Sequence, residues 1–168
     1  MSAEFNFDRA LASRAKALLA AFRRAKVKLA TAESCTGGMV AAVLTEIAGS
    51  SDVVERGFVT YSNEAKNELL GVPKQLIDAK GAVGKEVALA MARGAIRHSR
   101  AHVAVSITGV AGPGGARPGK PVGLVHFAAL RRGRKPIHVR RVFKGNRAQV
   151  RAASVHEALR LLRKAAGV

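Results

Sequence analysis

The order of its predicted strands and helices is the feature that most constrains the fold of this chain. Segments with alternating apolar residues, typical of β-strands, take turns with segments whose apolar residues recur at helical spacing. Strands are predicted at 27–34, 52–62 and 102–109, and a hairpin at 122–131 and 135–143. No repeat or linker interrupts the series, so we expect an α/β fold: a single three-layer α/β/α domain with a mixed β-sheet.

The segments between these strands are predicted to be helices. They cover 7–25, 39–48, 63–72 and 85–100, with a short helix beginning near Pro73 and a final one from Asn146 onward. Asn63 is the predicted N-cap of its helix. We expect helix 7–25 to pack on the same body as the sheet, so that one domain covers residues 1–168. A chain of 168 residues with 48% hydrophobic residues is large enough to bury a core of its own.

Several classes of protein are excluded by composition. A single cysteine cannot form an internal disulfide, and no residues have the spacing of zinc ligands, so we expect no metal and no cofactor. No apolar run has the length of a membrane span. The first residues, MSAEFNFDRA, lack the long apolar stretch of a secretory signal. We therefore expect a cytoplasmic protein without membrane contact.

The net charge of +18 is concentrated near the end of the sequence. Residues 131–168 hold twelve Lys and Arg and one acid, Glu157. Such a stretch can attract phosphates or nucleic acid, or it can be the solvated face of a hairpin and a helix. Aromatic residues make up only 4% of the chain, and none alternates with the basic stretch as a stacking platform would. Nucleic acid therefore remains an alternative partner rather than the main one.

The sequence TAESCTGG, residues 31–38, places polar residues and glycines where a predicted strand meets a helix. Ser34 is a candidate nucleophile there. Backbone N–H groups around Thr36, Gly37 and Gly38 are candidate donors to an anion or a developing oxyanion. The alternative is that Ser34 or Thr36 caps the following helix and the glycines form a turn.

A serine nucleophile needs a base, and Lys66 is the candidate. The five histidines are predicted to lie in strands and helices, which gives a Ser-His-Asp triad little support. Lys66 lies one helical turn after Tyr61 at a strand-to-helix corner, and a lysine in a desolvated pocket can act as a general base. Tyr61 is a candidate to relay the proton or to bond a charged intermediate. On spacing alone, a lysine at this position is more often a solvated helix residue.

A third strand end, TGVAGPGGARPGKPVG at 108–123, is rich in glycine and proline and offers a backbone surface suited to a flat or phosphorylated ligand. In open α/β sheets, ligands bind outside the carboxyl ends of the strands. Three polar strand ends on one sheet therefore favour a site at that edge. The alternative for this segment is a long mobile connection.

Together, AESCTGG, TYSNEAK, GAVGKEVA and TGVAGPGG closely resemble the CinA C-terminal domain family, the group of nicotinamide-nucleotide amidohydrolases. The resemblance runs from about residue 10 to the end, with the motifs in family order. It implies a metal-independent hydrolase that converts nicotinamide mononucleotide to nicotinic acid mononucleotide and ammonia. It also implies Ser34 as the nucleophile, with Lys66 and Tyr61 as its activating partners.

The resemblance assigns further residues to the substrate, a phosphorylated pyridine nucleotide. Thr108 and Gly109 are expected to line its site, and Arg147 takes the place of the arginine in the family's GDR segment, as a phosphate or structural contact. The chain departs from the family in having Asn146 before that arginine, and in the more basic RPGK at 117–120. These departures bear on substrate preference.

One other role keeps the fold without the activity: a non-catalytic module that binds nucleotides or partner proteins, associated with competence or DNA damage. A homodimer is the expected oligomer, because the apolar hairpin and the first helix offer surface to bury between subunits.

Overall fold

The centre of the molecule is a mixed sheet of five strands. The structure, a computed structural model, describes residues 7–168, so residues 1–6 of the segment considered above for a secretory signal lie outside it. The strands are β1 (Leu29–Glu33), β2 (Val54–Val59), β3 (Val103–Gly109), β4 (Leu124–Arg131) and β5 (Ile137–Val142). Their order is β2-β1-β3-β4-β5. Strand β1 is parallel to β2 and β3, whereas β4 is antiparallel to β3 and β5.

Helices cover both faces of the sheet, which confirms the predicted three-layer α/β/α fold. The helices of the described residues are α1 (Arg9–Arg24), α2 (Met39–Thr45), α3 (Asn63–Leu70), α4 (Lys74–Lys80), α5 (Lys85–Arg97) and α6 (Arg147–Ala166). Helices α1, α2 and α6 pack on one face, and α3, α4 and α5 on the other. None of these helices has the length and apolar character needed to cross a membrane.

The two faces of the sheet differ in the size of their side chains. In β3, Val103, Val105 and Ile107 point to the side of α1 and α6, while Ala104 and Ser106 point to the side of α5. Small side chains let a helix approach closely. The Ser106 hydroxyl donates to the Ala88 carbonyl oxygen of α5 at 2.6 Å. The alternating pattern of the sequence thus fixes which face each helix covers.

The structure corrects the predicted boundaries in detail. Strands and helices end one to three residues inside several predicted limits. The N-cap of α3 is Ser62 rather than Asn63, because the Ser62 hydroxyl accepts from the Ala65 N–H at 3.0 Å and Asn63 already has helical geometry. Asn146 is the N-cap of α6 and forms a capping box with Gln149. The Asn146 departure from the family pattern therefore leaves this residue with a helix-capping role.

Two histidines face each other across β4 and β5, with His126 Nδ1 and His138 Nε2 3.0 Å apart. Burial lowers the pKa of His126 to about 4, and the positive charges of His138, Arg140 and Lys120 act in the same direction, against Glu86. The folded protein therefore holds His126 neutral at pH values where the unfolded chain is protonated.

We expect this pair to make stability sensitive to acid. The contribution of neutral His126 is fully present above the ordinary histidine pKa of 6.5, and is lost as the pH falls from there to about 4. A His126→Gln variant should therefore lose stability less steeply over this range in urea unfolding measured at a series of pH values. The exposed His98→Gln variant is the control. Equal slopes for wild type and His126→Gln would contradict the expectation.

Candidate active site

Ser34 lies at the carboxyl end of the strand that has parallel neighbours on both sides. Strand β1 ends at Glu33, and the N–H of Ser34 donates to the Ile107 carbonyl oxygen of β3 at 2.9 Å. On the other side, the Thr60 N–H after β2 donates to the Glu33 carbonyl oxygen at 2.8 Å. Only 9% of Ser34 is exposed. The candidate nucleophile therefore has a fixed backbone and little contact with water.

Lys66 brings its amine to this hydroxyl from α3. The side chain is buried, with 1% of the residue exposed. Its Nζ lies 3.1 Å from Ser34 Oγ and 2.9 Å from the Thr60 carbonyl oxygen, and the carbonyl oxygens of Tyr61 and Ser62 are each 3.4 Å away. The fold thus joins the two residues that sequence reasoning singled out as nucleophile and base, although they are 32 positions apart.

The surroundings of Lys66 suit a lysine that exchanges protons. Burial lowers the pKa of its amine, and the nearby Cys35 and Glu64 oppose this shift only in part. A neutral amine has two N–H groups and one lone pair. The carbonyl oxygens of the 60–62 segment can accept the two hydrogens, which leaves the lone pair free to accept the hydroxyl hydrogen of Ser34. The arrangement can therefore activate a serine.

Cys35, beside Ser34, is unsuited to the same chemistry. Burial raises the pKa of its thiol to about 12, so the thiol is protonated at neutral pH, and the thiolate is the reactive form. Within residues 7–168, no three His, Cys, Asp or Glu side chains are grouped so that they could hold a metal ion.

Glu33 is a residue whose role the sequence reasoning missed. Its buried carboxylate caps the start of α2, where Oε2 accepts from the N–H groups of Gly38 and Val40, both at 3.1 Å, and Oε1 from that of Ala41 at 2.9 Å. A carboxylate at a helix N-terminus is stabilised by the helix dipole. An acid four residues before a Gly-Gly pair that precedes a helix is the signal that could have revealed it.

The proposed anion donors of this loop need correction. The Gly38 N–H is taken by Glu33, and the Gly37 N–H donates to the Ser34 carbonyl oxygen at 2.9 Å. The sequence had suggested that these two N–H groups are free to bind an anion, but both already have acceptors within their own loop. The Thr36 N–H has no acceptor among the described residues, which makes it the remaining candidate donor of the three.

Arg151 fixes the same loop from a distant part of the chain. Its Nη2 donates to the Thr36 carbonyl oxygen at 3.0 Å and comes close to Gly37. The sequence carried no signal for this contact, because α6 reaches the loop only through the tertiary fold.

Arg147 and Tyr61 meet above the end of β1. Arg147 Nη2 donates to the Tyr61 hydroxyl at 2.9 Å, and Nη1 donates to the Gly112 carbonyl oxygen at 2.9 Å. Tyr61 follows β2 and Gly112 follows β3, so this bridge spans the position of β1 between them. The Tyr61 hydroxyl is bonded to Arg147, and among the described residues it contacts neither Ser34 nor Lys66. The proton relay through Tyr61 has no direct path in this conformation.

A cleft of about 500 Å³ opens on the β3 side of this bridge. Gly109 and Arg147 line it, together with Arg117, Lys120 and Asp78, whereas Ser34 and Lys66 do not. Thr108, predicted beside Gly109, is buried and donates its hydroxyl to the Ala82 carbonyl oxygen at 2.7 Å. The three cationic side chains suit an anionic group.

Comparison with known proteins gives a consistent result. The family model of the CinA C-terminal domain matches residues 11–166. The chain is 53% identical over 137 residues to a CinA-like protein of Mycolicibacterium vanbaalenii, which covers 82% of this chain and 32% of that protein. A putative competence-damage inducible protein of Caldicellulosiruptor bescii is 45% identical, with 83% and 34% covered. The chain thus spans about a third of the length of these relatives.

Solved structures show the same fold. The crystal structure of the competence/damage inducible protein CihA from Agrobacterium tumefaciens has a TM-score of 0.92 and 45% identity, covering 98% of this chain and 99% of its own. A CinA superfamily protein from Escherichia coli has a TM-score of 0.87 and 34% identity, covering 94% and 92%.

We expect Glu33 to hold the serine loop in place. Glu33→Ala leaves three N–H groups without their acceptor and should lower the free energy of unfolding by about 3 kcal/mol. Glu33→Gln, which keeps one acceptor oxygen, should lower it less. Urea unfolding measures both, with Glu46→Ala on the exposed end of α2 as the control. A Glu33→Ala protein as stable as the control would show that the cap contributes little.

Proposed function

The chain belongs to the CinA C-terminal domain family, and we propose that it is an amidohydrolase that removes the amide nitrogen of nicotinamide mononucleotide. The products are nicotinic acid mononucleotide and ammonia. The observation that carries this proposal is the buried contact of 3.1 Å between Lys66 Nζ and Ser34 Oγ. Together with the family resemblance, this contact supports amide hydrolysis by a serine nucleophile.

In the first half of the reaction, Ser34 attacks the carboxamide carbon. Neutral Lys66 takes the hydroxyl proton while Oγ forms a bond to that carbon, and the carbonyl π electrons move to its oxygen. We assign the Thr36 N–H as a donor to the developing oxyanion. When the tetrahedral intermediate collapses, the C–N bond breaks and the protonated Lys66 gives its proton to the departing nitrogen. Ammonia leaves, and an ester links the acid to Ser34.

In the second half of the reaction, a water molecule hydrolyses the ester to Ser34. Lys66, neutral again, takes a proton from a water molecule that attacks the ester carbon. The C–O bond to Ser34 breaks, and the proton held by Lys66 returns to Oγ. The acid is released and the site is restored. This sequence needs no group other than those of the site, the substrate and water.

The cleft beside the bridge is suited to the phosphate of the substrate. Arg147, Arg117 and Lys120 line it, and an arginine can donate to two phosphate oxygens at once. We place the phosphate in this cleft and the pyridine ring toward Ser34. Although 61% of Tyr61 is exposed, its hydroxyl is held by the hydrogen bond from Arg147.

We expect loss of either partner of the serine–lysine pair to stop the reaction. Ser34→Ala should release no ammonia above background, because the nucleophile is gone. Lys66→Met should slow turnover by a factor of about 1,000, the usual scale of general-base catalysis. Lys66→Arg is the matched variant, since it keeps a long side chain with nitrogen donors but cannot act as a base, and it should be equally slow.

Coupled ammonia detection on purified protein with nicotinamide mononucleotide and no added metal provides the measurement. Thermal unfolding shows whether each variant is folded. Full turnover by Lys66→Met would exclude this mechanism. Substrate binding by wild type without ammonia release would favour a binding module instead.

The pH dependence should report the lysine. Because the active form is the neutral amine, kcat/KM should rise as the pH rises through the Lys66 pKa and level off above it. Burial puts that pKa below the ordinary 10.5. A rate profile from pH 6 to 10 provides the test, and a rate that falls with rising pH over this range would contradict the role of Lys66 as base.

Arg147 should act on binding more than on chemistry. Arg147→Lys keeps one charge but loses the two-point contact, so KM should rise about tenfold, with a smaller change in kcat. Arg117→Ala, on the outer side of the cleft, is the control for general loss of charge and should raise KM less. A fall in kcat with unchanged KM for Arg147→Lys would place this residue in the chemical step instead.

A further inference from the structure

The sheet has a second edge, opposite the one that carries Ser34. There β1 and β3 begin and β4 ends, since Val103 pairs with Leu29 on one side and with Arg131 on the other. The end of α6 joins this edge, where the Arg131 guanidinium donates to the Ala166 carbonyl oxygen. The chain segments 24–30, 131–137 and 161–168 therefore meet at one end of the molecule.

These three segments hold basic residues and no Asp or Glu side chain. Their nine cationic residues, which we call the basic edge, are Arg24, Lys26, Lys28, Arg131, Arg132, Arg134, Lys135, Arg163 and Lys164. None of the nine forms an ion pair with a carboxylate within residues 7–168. The acids at the start of β2, at this same edge, are paired with other residues, Asp52 with Arg23 and Glu55 with Arg56. The nine like charges therefore repel one another, and a bound polyanion would relieve that repulsion.

Three of these residues have a structural role of their own. Arg132 donates to carbonyl oxygens near the end of α5, Arg131 to that of Ala166, and Arg163 to that of Val168. The other six are exposed, and their side chains make no hydrogen bond within the described part of the chain: Arg24, Lys26, Lys28, Arg134, Lys135 and Lys164. Two-thirds of the basic edge is thus available to a ligand.

Part of the basic edge surrounds a cavity of about 380 Å³. Arg131, Arg134, Lys135 and Lys164 line it, and the remaining lining residues are uncharged: Ile137, Ala165, Ala166 and Gly167. Four positive charges around one concave surface, with no acid among them, form an anion-binding arrangement in which several phosphates can be neutralised together.

We propose that the basic edge binds the phosphate backbone of duplex nucleic acid without reading its sequence. Lys28 directly precedes β1 and Arg131 ends β4, and β3 lies between these two strands, so the two backbones lie about 10 Å apart across the sheet. A duplex carries one charge for about each 1.7 Å of its axis, so a stretch of this length presents roughly six phosphates. The three segments contain no aromatic residue on which unpaired bases could stack, which favours a duplex over a single strand.

Binding at this edge leaves the serine site open. Ser34 follows the carboxyl end of β1, whereas Lys26 and Lys28 precede its amino end. A duplex on the basic edge therefore does not cover the cleft beside Arg147. The proposal stands apart from amide hydrolysis, and the failure of either leaves the other in place.

Fluorescence anisotropy with a labelled 20-base-pair DNA duplex tests the proposal on the full chain. Wild type should bind, and the logarithm of its binding constant should fall linearly with the logarithm of the salt concentration. The variant R134E/K135E/K164E should lose at least about tenfold in affinity at low salt and show a slope shallower by about three phosphate contacts. The control R9E/K16E/R93E changes net charge equally on exposed helix positions and should stay within about threefold of wild type.

Three results would overturn the proposal. These are an absence of duplex binding by wild type at low salt, an equal loss in both triple variants, and displacement of the duplex by inorganic tripolyphosphate at concentrations comparable to those of the duplex. The last would identify a free polyphosphate as the ligand. Circular dichroism and thermal unfolding of the variants show whether they are folded, and a second set with glutamine at the same positions replaces any that are not.

Discussion

The amine of Lys66 is the group on which the candidate site depends, because it is buried beside one hydroxyl and three carbonyl oxygens. Burial disfavours its charge, while the carbonyl oxygens keep its hydrogens bonded in either protonation state. The turn after β2 supplies those oxygens, and the Ser62 cap starts α3 at the point that aims the side chain at β1. The loop after β1, which carries Ser34, is held at two points. Glu33 binds the start of α2, and Arg151 of α6 donates to the Thr36 carbonyl oxygen.

Basic side chains lie at both edges of the sheet, but the helix ends that meet them carry partial charges of opposite sign. The N-termini of α2, α3 and α6 lie at the edge of Ser34, where their partial positive charges favour anions. The C-termini of α1, α5 and α6 lie at the other edge, where partial negative charges favour cations. Arg131 and Arg132 use this directly by donating to carbonyl oxygens of helix ends. The direction of the helices therefore explains part of the excess of basic residues there.

Most of the fold could be predicted from the sequence because the apolar residues of each strand and helix recur at the spacing typical of that element. The pattern is clearest in β3 and α5. The approach of Ser34 and Lys66 was predictable in outline, since both follow parallel strands that end at one edge. The contacts made by side chains from distant parts of the chain could not be predicted. Arg151 reaches its loop across 115 positions, and the Gly37 and Gly38 N–H groups were assigned to a ligand because the competing acceptors within their own loop were not recognised. The hydrogen bond from Arg147 to Tyr61 was missed because, like that of Arg151, it joins residues far apart in the chain, here by 86 positions.

The hydrogen bonds that hold Arg147 give the cleft a built-in competitor. The Tyr61 hydroxyl and the Gly112 carbonyl oxygen already satisfy donors of the guanidinium, so an incoming ligand gains only the difference between its own oxygens and these internal ones. A doubly negative phosphate binds the guanidinium more strongly than these two internal acceptors do, whereas an uncharged hydroxyl binds it about as strongly as they do. Selectivity for phosphorylated molecules would then arise because phosphate replaces the internal acceptors of Arg147. A neutral nucleoside would not replace them, so Arg147 would stay bonded to Tyr61 and Gly112.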